Sequence, residues 1–248
     1  MMPESAAIFV AATDTGVGKT LVSGLLLDFL HRRGLPAGYQ KWVATGCDER
    51  IPADLALVAE LAGLRLPPAT TNPTPASRDC LNLELAVPYR FRLPASPHLA
   101  AATEGRQVEP ERLKKSLHQA LQTTPRLVVE GVGGLLVPLN QEVLLIDLLA
   151  ELRLPVLLVA RSGLGTINHT LLSLEALRRR QLPVTGVIFC DEAPDLPEWL
   201  VADNLQTIAA QGRVPVLGRL PRRPDLRQLR NDFQAIGQEL LVFSPNFR

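Results

Sequence analysis

The sequence predicts an α/β fold with a mostly parallel central sheet and helices on both of its faces. A short apolar run at residues 6–11 leads through a small, glycine-containing loop into a segment of helical periodicity. A second, more polar run at residues 37–44 follows, and a strand–helix–strand connection of this length requires parallel strands. The later run at residues 154–160 is apolar without alternation, which is typical of a strand buried in the core.

The first helix is predicted at residues 19–33, because apolar side chains recur there at i, i+3 and i+4 spacing and Gly34 ends the run. Residues 65–95 hold many prolines and no long periodic run, which predicts an irregular excursion over the sheet edge. The further predicted helices are residues 52–62, a short one from Ser96 or Pro97 to 101, 110–122, 163–177 and 226–242. The further predicted strands are residues 127–130, 184–190 and 214–218.

Length and composition indicate one globular domain over residues 1–248. The net charge of +1 gives no reason to expect nucleic acid or an anionic membrane as a partner. The three cysteines, Cys47, Cys80 and Cys190, are scattered and form no C-x-x-C pair, which favours a reducing compartment. The N-terminus lacks a basic leader region, and no apolar run reaches membrane-spanning length. We therefore expect a cytoplasmic protein.

The loop after the first strand has the composition of a phosphate-binding loop, or P-loop, and closes with Gly18-Lys19-Thr20 at the start of the helix. Gly18 lets the backbone approach a phosphate, Lys19 brings a charge to the β and γ phosphates, and Thr20 offers a hydroxyl to Mg²⁺. The strict pattern has glycine where this chain has Thr13. A nucleoside triphosphate is predicted, with an ordinary tight turn as the alternative. The residues predicted to surround the nucleotide here are Gly16, Val17, Gly18, Lys19 and Thr20.

Three polar residues later in the chain are candidates for the same site. Lys41 lies near the end of the second predicted strand, where a parallel sheet places its ligand crevice. A solvated surface lysine is the alternative. Thr45 follows at the same rim and adds a hydroxyl. Asp54 either caps the next helix or reaches Mg²⁺ from the loop side.

The buried run at residues 127–129 ends in Glu130, followed by three glycines within four residues. Burying a carboxylate without a partner costs several kcal/mol. Beside a P-loop, Mg²⁺ is a natural partner, and a capped or salt-bridged glutamate is the alternative. The glycines permit the backbone to pass close to phosphates. The residues predicted at this point of the nucleotide site are Glu130, Gly131, Val132 and Gly133.

A second anion site is predicted where residues 163–169 open a long helix, because the first-turn N–H groups have no partner within the helix. Simple capping by Thr166 or Asn168 is the alternative. His98, in the short helix, is interpreted as a capping or packing residue.

Taken in order, these segments resemble the dethiobiotin synthetase family, whose members are ATP-dependent ligases of the P-loop NTPase superfamily. The resemblance spans most of residues 6–221. It implies that 7,8-diaminononanoate is carboxylated with CO₂ through a carbamate and a carbamic–phosphoric anhydride, which closes the ureido ring of dethiobiotin. The matching segments are residues 13–20, 41–46, Asp54, Ser96-Pro97-His98, 130–134 and 164–169.

The resemblance also implies roles for individual residues. It makes Lys41, Lys19 and Thr15 catalytic, and it places Thr15 and Thr45 along the phosphate and carbamate region. It implies that Thr20, Asp54 and Glu130 surround Mg²⁺. The family is a homodimer with substrate at the subunit interface, where the substrate carboxylate meets a helix N-terminus of the partner. The matching residues here are Gly165, Thr166, Ile167 and Asn168.

Three positions depart from the family pattern. Gly16 stands where the family commonly has an acidic residue, so a contact to the substrate's amine is expected to be missing. Trp42 replaces a proline, which we expect to alter packing more than chemistry. Cys190 stands where the family tends to present an asparagine to the adenine, and a thiol is a poor substitute for an amide. Base recognition is therefore expected to be looser, or to fall to residues near Pro221, Arg222 and Arg223.

Other functions compatible with a P-loop are a partition- or division-type ATPase switch, a related amidoligase, and a non-catalytic nucleotide-binding module. The switch ATPases carry an extra lysine early in the loop, and residues 11–17 contain none. An amidoligase usually comes with a glutaminase domain or partner, for which the chain leaves little room. The departures at Gly16 and Cys190 favour the non-catalytic alternative.

Overall fold

The computed structural model describes residues 7–66, 82–244 and 247. Its strands are β1 (Ala7–Ala12), β2 (Gly38–Lys41), β3 (Val43–Thr45), β4 (Tyr89–Phe91), β5 (Leu127–Glu130), β6 (Val156–Arg161), β7 (Val184–Cys190) and β8 (Val216–Leu220). Six of them form one sheet in the order β2-β5-β1-β6-β7-β8, and every neighbouring pair in it is parallel. The predicted parallel α/β sheet is confirmed.

Helices cover both faces of the sheet. They are α1 (Lys19–Arg32), α2 (Ala53–Ala62), α3 (Leu83–Ala86), α4 (Pro97–Thr103), α5 (Pro110–Thr123), α6 (Leu145–Leu152), α7 (Thr166–Arg179), α8 (Glu198–Gly212) and α9 (Leu226–Phe243). Because successive strand side chains point to opposite faces, Ile8 and Val10 pack in one core with α1, α2 and α9. Phe9 and Ala11 pack in the other core with α5, α6 and α7.

The second strand differs from its prediction, because residues 37–44 do not form one strand. β2 ends at Lys41, and β3 leaves the main sheet to pair with β4 in a separate two-stranded sheet. Trp42 lies at the break, where its backbone N–H donates to the Glu130 carbonyl and its ring packs 4.9 Å from that of Phe9. Trp42 is fully buried, so its side chain is part of the packing at this break.

Within the excursion predicted for residues 65–95, the structure has the helix α3 and the strand β4. Residues 67–81, which include Cys80, lie outside the described part of the chain. Three helices, α3, α6 and α8, were not predicted. α6 has no side-chain-capped start of the usual kind; backbone bonds from Leu145 to the Val137 carbonyl and from Ile146 to the Leu135 carbonyl fix its first turn.

The sheet brings distant residues to one edge. β1 is central, and the chain reaches β2 on one side of it and β6, β7 and β8 on the other. In the parallel register, Glu130 lies between Val10 of β1 and Lys41 of β2. The carboxyl ends of these three strands therefore meet beside the loop that follows β1. None of the described helices is long and apolar enough to cross a lipid bilayer.

Candidate active site

The loop between β1 and α1 has the strand–loop–helix context predicted for a P-loop. Gly18 ends the loop with φ 108°, and a Cβ atom there would lie 2.8 Å from the Cys190 Sγ. Both the backbone conformation and the lack of space therefore require glycine. The Thr13 N–H donates to the Val159 carbonyl at 3.0 Å, which ties the loop to β6.

Lys19, the first residue of α1, reaches back across the loop. Its Nζ donates to the Gly133 carbonyl at 2.8 Å and to the Asp14 carbonyl at 3.1 Å. Burial lowers the pKa of Lys19 to about 8, although the nearby Glu130 carboxylate acts in the opposite direction. The ammonium group thus joins the P-loop to the glycine-rich turn after β5.

Of the other P-loop residues, some pack in the core and some are exposed to solvent. The Val17 side chain is buried in the core with α1, so its backbone is the part available to a ligand. Thr15 and Gly16 are exposed at the tip of the loop, where the Thr15 N–H donates to Asp14 Oδ1 at 2.7 Å. Asp14 Oδ2 in turn accepts from Arg161 Nη2 at 3.0 Å. No periodicity or motif in the sequence predicts this ion pair.

Lys41, Asp54, Glu130 and Thr20 form one cluster, which we call the carboxylate cluster. Lys41 Nζ lies 2.7 Å from Glu130 Oε1 and 2.6 Å from Asp54 Oδ2. The Thr20 hydroxyl lies 2.8 Å from Glu130 Oε1 and 3.0 Å from Asp54 Oδ1. Four residues from four different elements therefore share their contacts at the start of α1.

Two of the alternatives left open by the sequence are wrong. Lys41 is not a solvated surface lysine, because only 5% of it is exposed. Asp54 is not the N-cap of α2, because Pro52 holds that position and Asp54 lies in the first turn. The salt-bridged alternative for Glu130 is what the structure shows, through Lys41.

Charge pairing outweighs burial in this cluster. Burial alone would lower the pKa of Lys41, but Glu130 and Asp54 raise it above its ordinary value. Burial would likewise raise the pKa of Asp54, but the Lys41 ammonium holds it below its usual range. Both pKa shifts favour the charged forms of Lys41 and Asp54.

Tyr39 contacts the carboxylate cluster, and its role there was not predicted from the sequence. Its hydroxyl donates to Glu130 Oε2 at 2.7 Å, and both side chains are buried. A signal was present, because residues two apart on a strand share a face, and Tyr39 precedes Lys41 by two in β2.

The carboxylate cluster fits a magnesium ion. Mg²⁺ prefers oxygen ligands and is commonly held by one or two carboxylates together with water and substrate phosphates. Thr20, Asp54 and Glu130 offer oxygens that already converge on common partners. In the described ranges, no group of three or more His, Cys, Asp or Glu side chains is arranged to hold a metal, so an ion at this cluster would need further ligands such as phosphate or water.

The turn after β5 serves packing as well as the site. A Cβ on Gly131 would lie 2.9 Å from the Phe9 ring, so glycine is required there by the contact between β5 and β1. Val132 is half-buried against the same core. Gly133 contributes the carbonyl that accepts from Lys19.

The start of α7 carries the second predicted anion site. Gly165 is the N-cap and no side chain caps the helix, so capping by Thr166 or Asn168 is wrong. Thr166 is buried, with its hydroxyl 3.2 Å from that of Thr170, whereas Asn168 is exposed and Ile167 is half-buried. No hydrogen bond or ion pair between described residues joins this helix start to the carboxylate cluster.

The residues expected around the base lie at the ends of β7 and β8. Cys190 is buried against Gly18, and Pro221 directly follows β8. Arg222 donates to the Glu192 carbonyl at 2.8 Å, and Arg223 Nε lies 3.0 Å from Asp232 Oδ2.

Two further candidates lie on the side of the site nearer β4. Thr45, at the end of β3, is half-buried and pairs with Phe91 of β4. In α4, Ser96 is the N-cap, and the Nδ1 atom of His98 is buried without a hydrogen-bond partner among the described residues.

Solved structures that share this fold include a cell division ATPase. The cell division protein MinD of Aquifex aeolicus, in its complex with MinC, superposes with a TM-score of 0.55 at 14% identity over 96% of each chain. The cell division ATPase MinD of Pyrococcus furiosus gives a TM-score of 0.52 at 15% identity over 96% of this chain and 99% of that one. At such identities the likeness shows the fold alone.

Sequence comparison identifies the family to which the chain belongs. The AAA domain family model matches residues 6–230. The ATP-dependent dethiobiotin synthetase BioD of Brucella ovis is 41% identical over 220 residues, which are 88% of this chain and 87% of that protein. The biotin biosynthesis bifunctional protein BioCD of Bordetella avium is 45% identical over 215 residues, 87% of this chain but 39% of that longer protein. The chain belongs to the ATP-dependent dethiobiotin synthetase family.

Proposed function

We propose that this chain is an ATP-dependent dethiobiotin synthetase, which closes a cyclic urea on 7,8-diaminononanoate with CO₂ and ATP. Family membership supports the reaction. The observation that carries the proposal is the carboxylate cluster, in which Lys41 lies between Glu130 and Asp54 beside the P-loop. A nucleotide-binding fold needs no such lysine merely to hold a triphosphate.

The reaction brings anions together. One amine of the substrate adds to CO₂ as a carbamate and loses a proton, and a carbamate oxygen then attacks the γ-phosphorus while ADP leaves. The second amine attacks the carbamate carbon, and phosphate leaves as the ring closes. Repulsion between the carbamate and the triphosphate must be offset by fixed cations. Lys19 and Lys41 supply two of them, and the exposed Thr15 hydroxyl and the half-buried Thr45 are assigned to orient the carbamate and phosphate oxygens.

We assign the magnesium ion to Thr20, Asp54 and Glu130. Bound there, it would supply positive charge beside the β and γ phosphates. The buried Glu130 carboxylate lies 2.7 Å from the Lys41 ammonium and, with Asp54, raises the pKa of Lys41 above its ordinary value. Lys41 is thereby kept protonated at the place where we expect the carbamate.

We further infer that the active form is a homodimer in the cytoplasm. The resemblance places the substrate carboxylate on the partner's α7, at Gly165 to Asn168. Two apolar side chains of this region, Leu164 and Leu172, are 84% and 56% exposed and are therefore available to a second subunit. The half-buried free thiol of Cys47 is compatible with a reducing compartment.

The test is to incubate the protein with 7,8-diaminononanoate, bicarbonate, Mg²⁺ and ATP and to look for the cyclic urea by mass spectrometry. Lys41→Met is the matched variant, because it keeps the buried stem and removes the charge. We expect it to abolish product while ADP binding stays within about tenfold, or about 1.4 kcal/mol. Nucleotide binding without product in the unmodified protein would support the non-catalytic alternative, and ATP hydrolysis without diaminononanoate would support a switch ATPase.

Base choice is tested in the same assay with ATP, GTP and CTP side by side. Cys190 ends β7 against Gly18 and offers a thiol in place of an amide with a donor and an acceptor. We expect the rates with the three nucleotides to lie within about tenfold of one another, the equivalent of one lost hydrogen bond. Strict dependence on ATP would assign base recognition to other residues, with those after Pro221 as the next candidates.

A further inference from the structure

The two oxygens of Glu130 have separate partners. Oε1 lies 2.7 Å from the Lys41 ammonium and 2.8 Å from the Thr20 hydroxyl. Oε2 accepts from the Tyr39 hydroxyl at 2.7 Å. Tyr39 and Lys41 lie on the same face of β2, and Lys41 is paired in register with Glu130. Two residues of β2 therefore contact the two oxygens of the carboxylate.

A carboxylate has little preference of its own for one orientation, because the terminal torsion of a glutamate side chain is broad. Its orientation must be chosen by hydrogen bonds. With Oε2 fixed by Tyr39 on the core side, Oε1 faces Thr20 at the start of α1. Without that donor, the carboxylate would be free to rotate both oxygens toward the Lys41 ammonium.

We infer that Tyr39 is a positioning residue for the metal and nucleotide site, acting through Glu130. Its hydroxyl holds Glu130 so that Oε1 is presented to the first turn of α1, where the magnesium ion of the nucleotide complex is assigned. This inference rests on the proposed function, because that is where the metal is assigned to Glu130. Tyr39 acts on the carboxylate and not on the reacting atoms.

Burial supports a specific role for the hydroxyl. Tyr39 is 3% exposed and Glu130 is fully buried, and the tyrosine ring packs in the core that holds Val128 and Ile8. Phenylalanine would fill the same space, and an unpaired buried hydroxyl is costly. The geometry gives the hydroxyl a carboxylate partner, so its presence is explained by that bond and not by packing.

The test compares Tyr39→Phe with the unmodified protein, using Mn²⁺ and ADP as probes. Free Mn²⁺ is followed by electron paramagnetic resonance in the presence of saturating ADP, and ADP binding is measured separately in EDTA. We expect Tyr39→Phe to weaken Mn²⁺ binding about tenfold, as is typical when a group that orients a metal ligand is removed. ADP binding in EDTA should stay within about twofold, because metal-free binding does not use Glu130.

The chain offers a matched control, because its other tyrosine is also buried and hydrogen-bonded. The Tyr89 hydroxyl accepts from the Glu109 N–H at 2.9 Å and does not contact Glu130. Tyr89→Phe removes the same atom and should leave Mn²⁺ binding unchanged. If both variants weaken Mn²⁺ binding equally, the effect is one of stability and the inference is overturned.

The failure of this inference is distinguishable from failure of the proposed function. If the unmodified protein with ADP binds no Mn²⁺, the metal assignment itself fails. If it binds Mn²⁺ and Tyr39→Phe binds equally well, only the role of Tyr39 is wrong. In the assembled enzyme, the Mg²⁺ concentration for half-maximal rate should rise about tenfold in Tyr39→Phe, whereas the KM for ATP at saturating Mg²⁺ should change little.

A measurement without the substitution covers the case in which Tyr39→Phe does not fold. Incorporation of 3-fluorotyrosine places one fluorine on each of the two tyrosines. In Tyr89→Phe only the Tyr39 signal remains, which assigns the spectrum. We expect the Tyr39 resonance to shift when Mg²⁺ is added to the ADP complex and the Tyr89 resonance to stay in place. A Tyr39 resonance that does not move on adding Mg²⁺ would overturn the inference.

Discussion

At the level of single residues, the site depends on one buried cation placed between two carboxylates. Lys41 contacts both Glu130 and Asp54, and Glu130 is fully buried. Such a pair adds little net stability when it is complete, but removing one partner leaves an uncompensated buried charge. If Lys41 loses its charge, the buried carboxylate next to the P-loop therefore requires another cation.

Lys41→Met tests whether the buried carboxylate requires a cation. Without metal, we expect the variant to lose about 3 kcal/mol of unfolding free energy, because Glu130 is left buried without a cation. Mg²⁺ with ADP should restore part of the loss, up to about 1.4 kcal/mol for a tenfold change in affinity, so the thermal shift on adding them should be larger in the variant than in the unmodified protein. Differential scanning calorimetry with and without Mg²⁺·ADP measures both.

The matched control for this experiment is Lys114→Met. Lys114 also contacts two carboxylates, Glu111 and Glu151, but on the surface of the protein. Exposed pairs contribute at most about 1 kcal/mol. Equal losses in the two variants, or no recovery of Lys41→Met with Mg²⁺·ADP, would contradict the charge argument.

Cys190 allows a second residue-level prediction. Burial raises the pKa of its thiol to about 12, with Asp191 acting in the same direction. Because the thiolate is the reactive form, at pH 9 only roughly a thousandth of Cys190 is ionised in the folded protein, against most of an ordinary cysteine. We expect iodoacetamide to modify Cys190 at least about a hundredfold more slowly in the folded than in the urea-unfolded chain.

Peptide mass spectrometry after timed quenching measures this rate site by site. Labelling of the folded thiol should rise about tenfold per pH unit without levelling off below a pH of about 12, whereas labelling of a cysteine with an ordinary pKa levels off above about pH 9. The half-buried Cys47 serves as the internal comparison and should react faster. Rapid labelling of Cys190 at pH 9 would show that the end of β7 opens away from Gly18.

At the level of elements, α9 supports the helix that follows the P-loop. The Phe233 ring packs edge-to-face against that of Phe29 in α1, with centroids 6.2 Å apart. Arg230 of α9 contacts Asp28 of α1 and donates to the Leu61 carbonyl at the end of α2. The C-terminal segment is thus a packing element of the face of the sheet that carries α1 and α2.

Truncation of Phe233 should show this. Phe233→Ala removes a ring that is 1% exposed, and deletions of this kind typically cost about 3–5 kcal/mol. Phe243→Ala, on the same helix but about half exposed, should cost less than about 1 kcal/mol. Urea unfolding gives both values. A loss for Phe233→Ala as small as that for Phe243→Ala would mean that α9 is not part of the cooperative core.

The sequence was informative where one local rule acts alone. The glycine-lysine-threonine turn, the helical spacing of α1 and the unbroken apolar run of β6 each predict their element directly. The sequence was less informative where an element depends on the strand with which it pairs. Trp42 breaks the second strand because β3 finds its partner in β4, a pairing between residues far apart in the chain.

The same reasoning explains the candidate site. Lys41, Asp54 and Glu130 were predicted because the carboxyl ends of parallel strands converge. Tyr39 was missed because a tyrosine on a strand is more often a core residue. The register pairs Tyr39 with Val128, and its hydroxyl reaches Glu130 only along the strand, toward Lys41. Arg161 was missed because its partner Asp14 lies on a different strand–loop unit.

At the level of the whole molecule, the two halves of the sheet have different roles. β1, β2 and β5 carry the P-loop, Lys41 and Glu130, whereas β6 leads to the helix start proposed to hold the substrate carboxylate. Within one chain, no described hydrogen bond or ion pair connects that helix start with the carboxylate cluster. A second subunit would bring its own α7 to the cluster and join the two functions.

Leu164→Glu tests this arrangement, because Leu164 is 84% exposed immediately before α7. If α7 lies at a subunit interface, a buried glutamate there should separate the subunits, as sedimentation velocity would show. Turnover should then fall by roughly a hundredfold, because the substrate loses the group that positions it. Binding of Mg²⁺·ADP should stay within about threefold, because the P-loop and carboxylate cluster belong to one chain. Val242→Glu, at a 57% exposed position on α9, is the matched control and should change neither property. A monomeric Leu164→Glu variant with full turnover would place the whole substrate site within one chain.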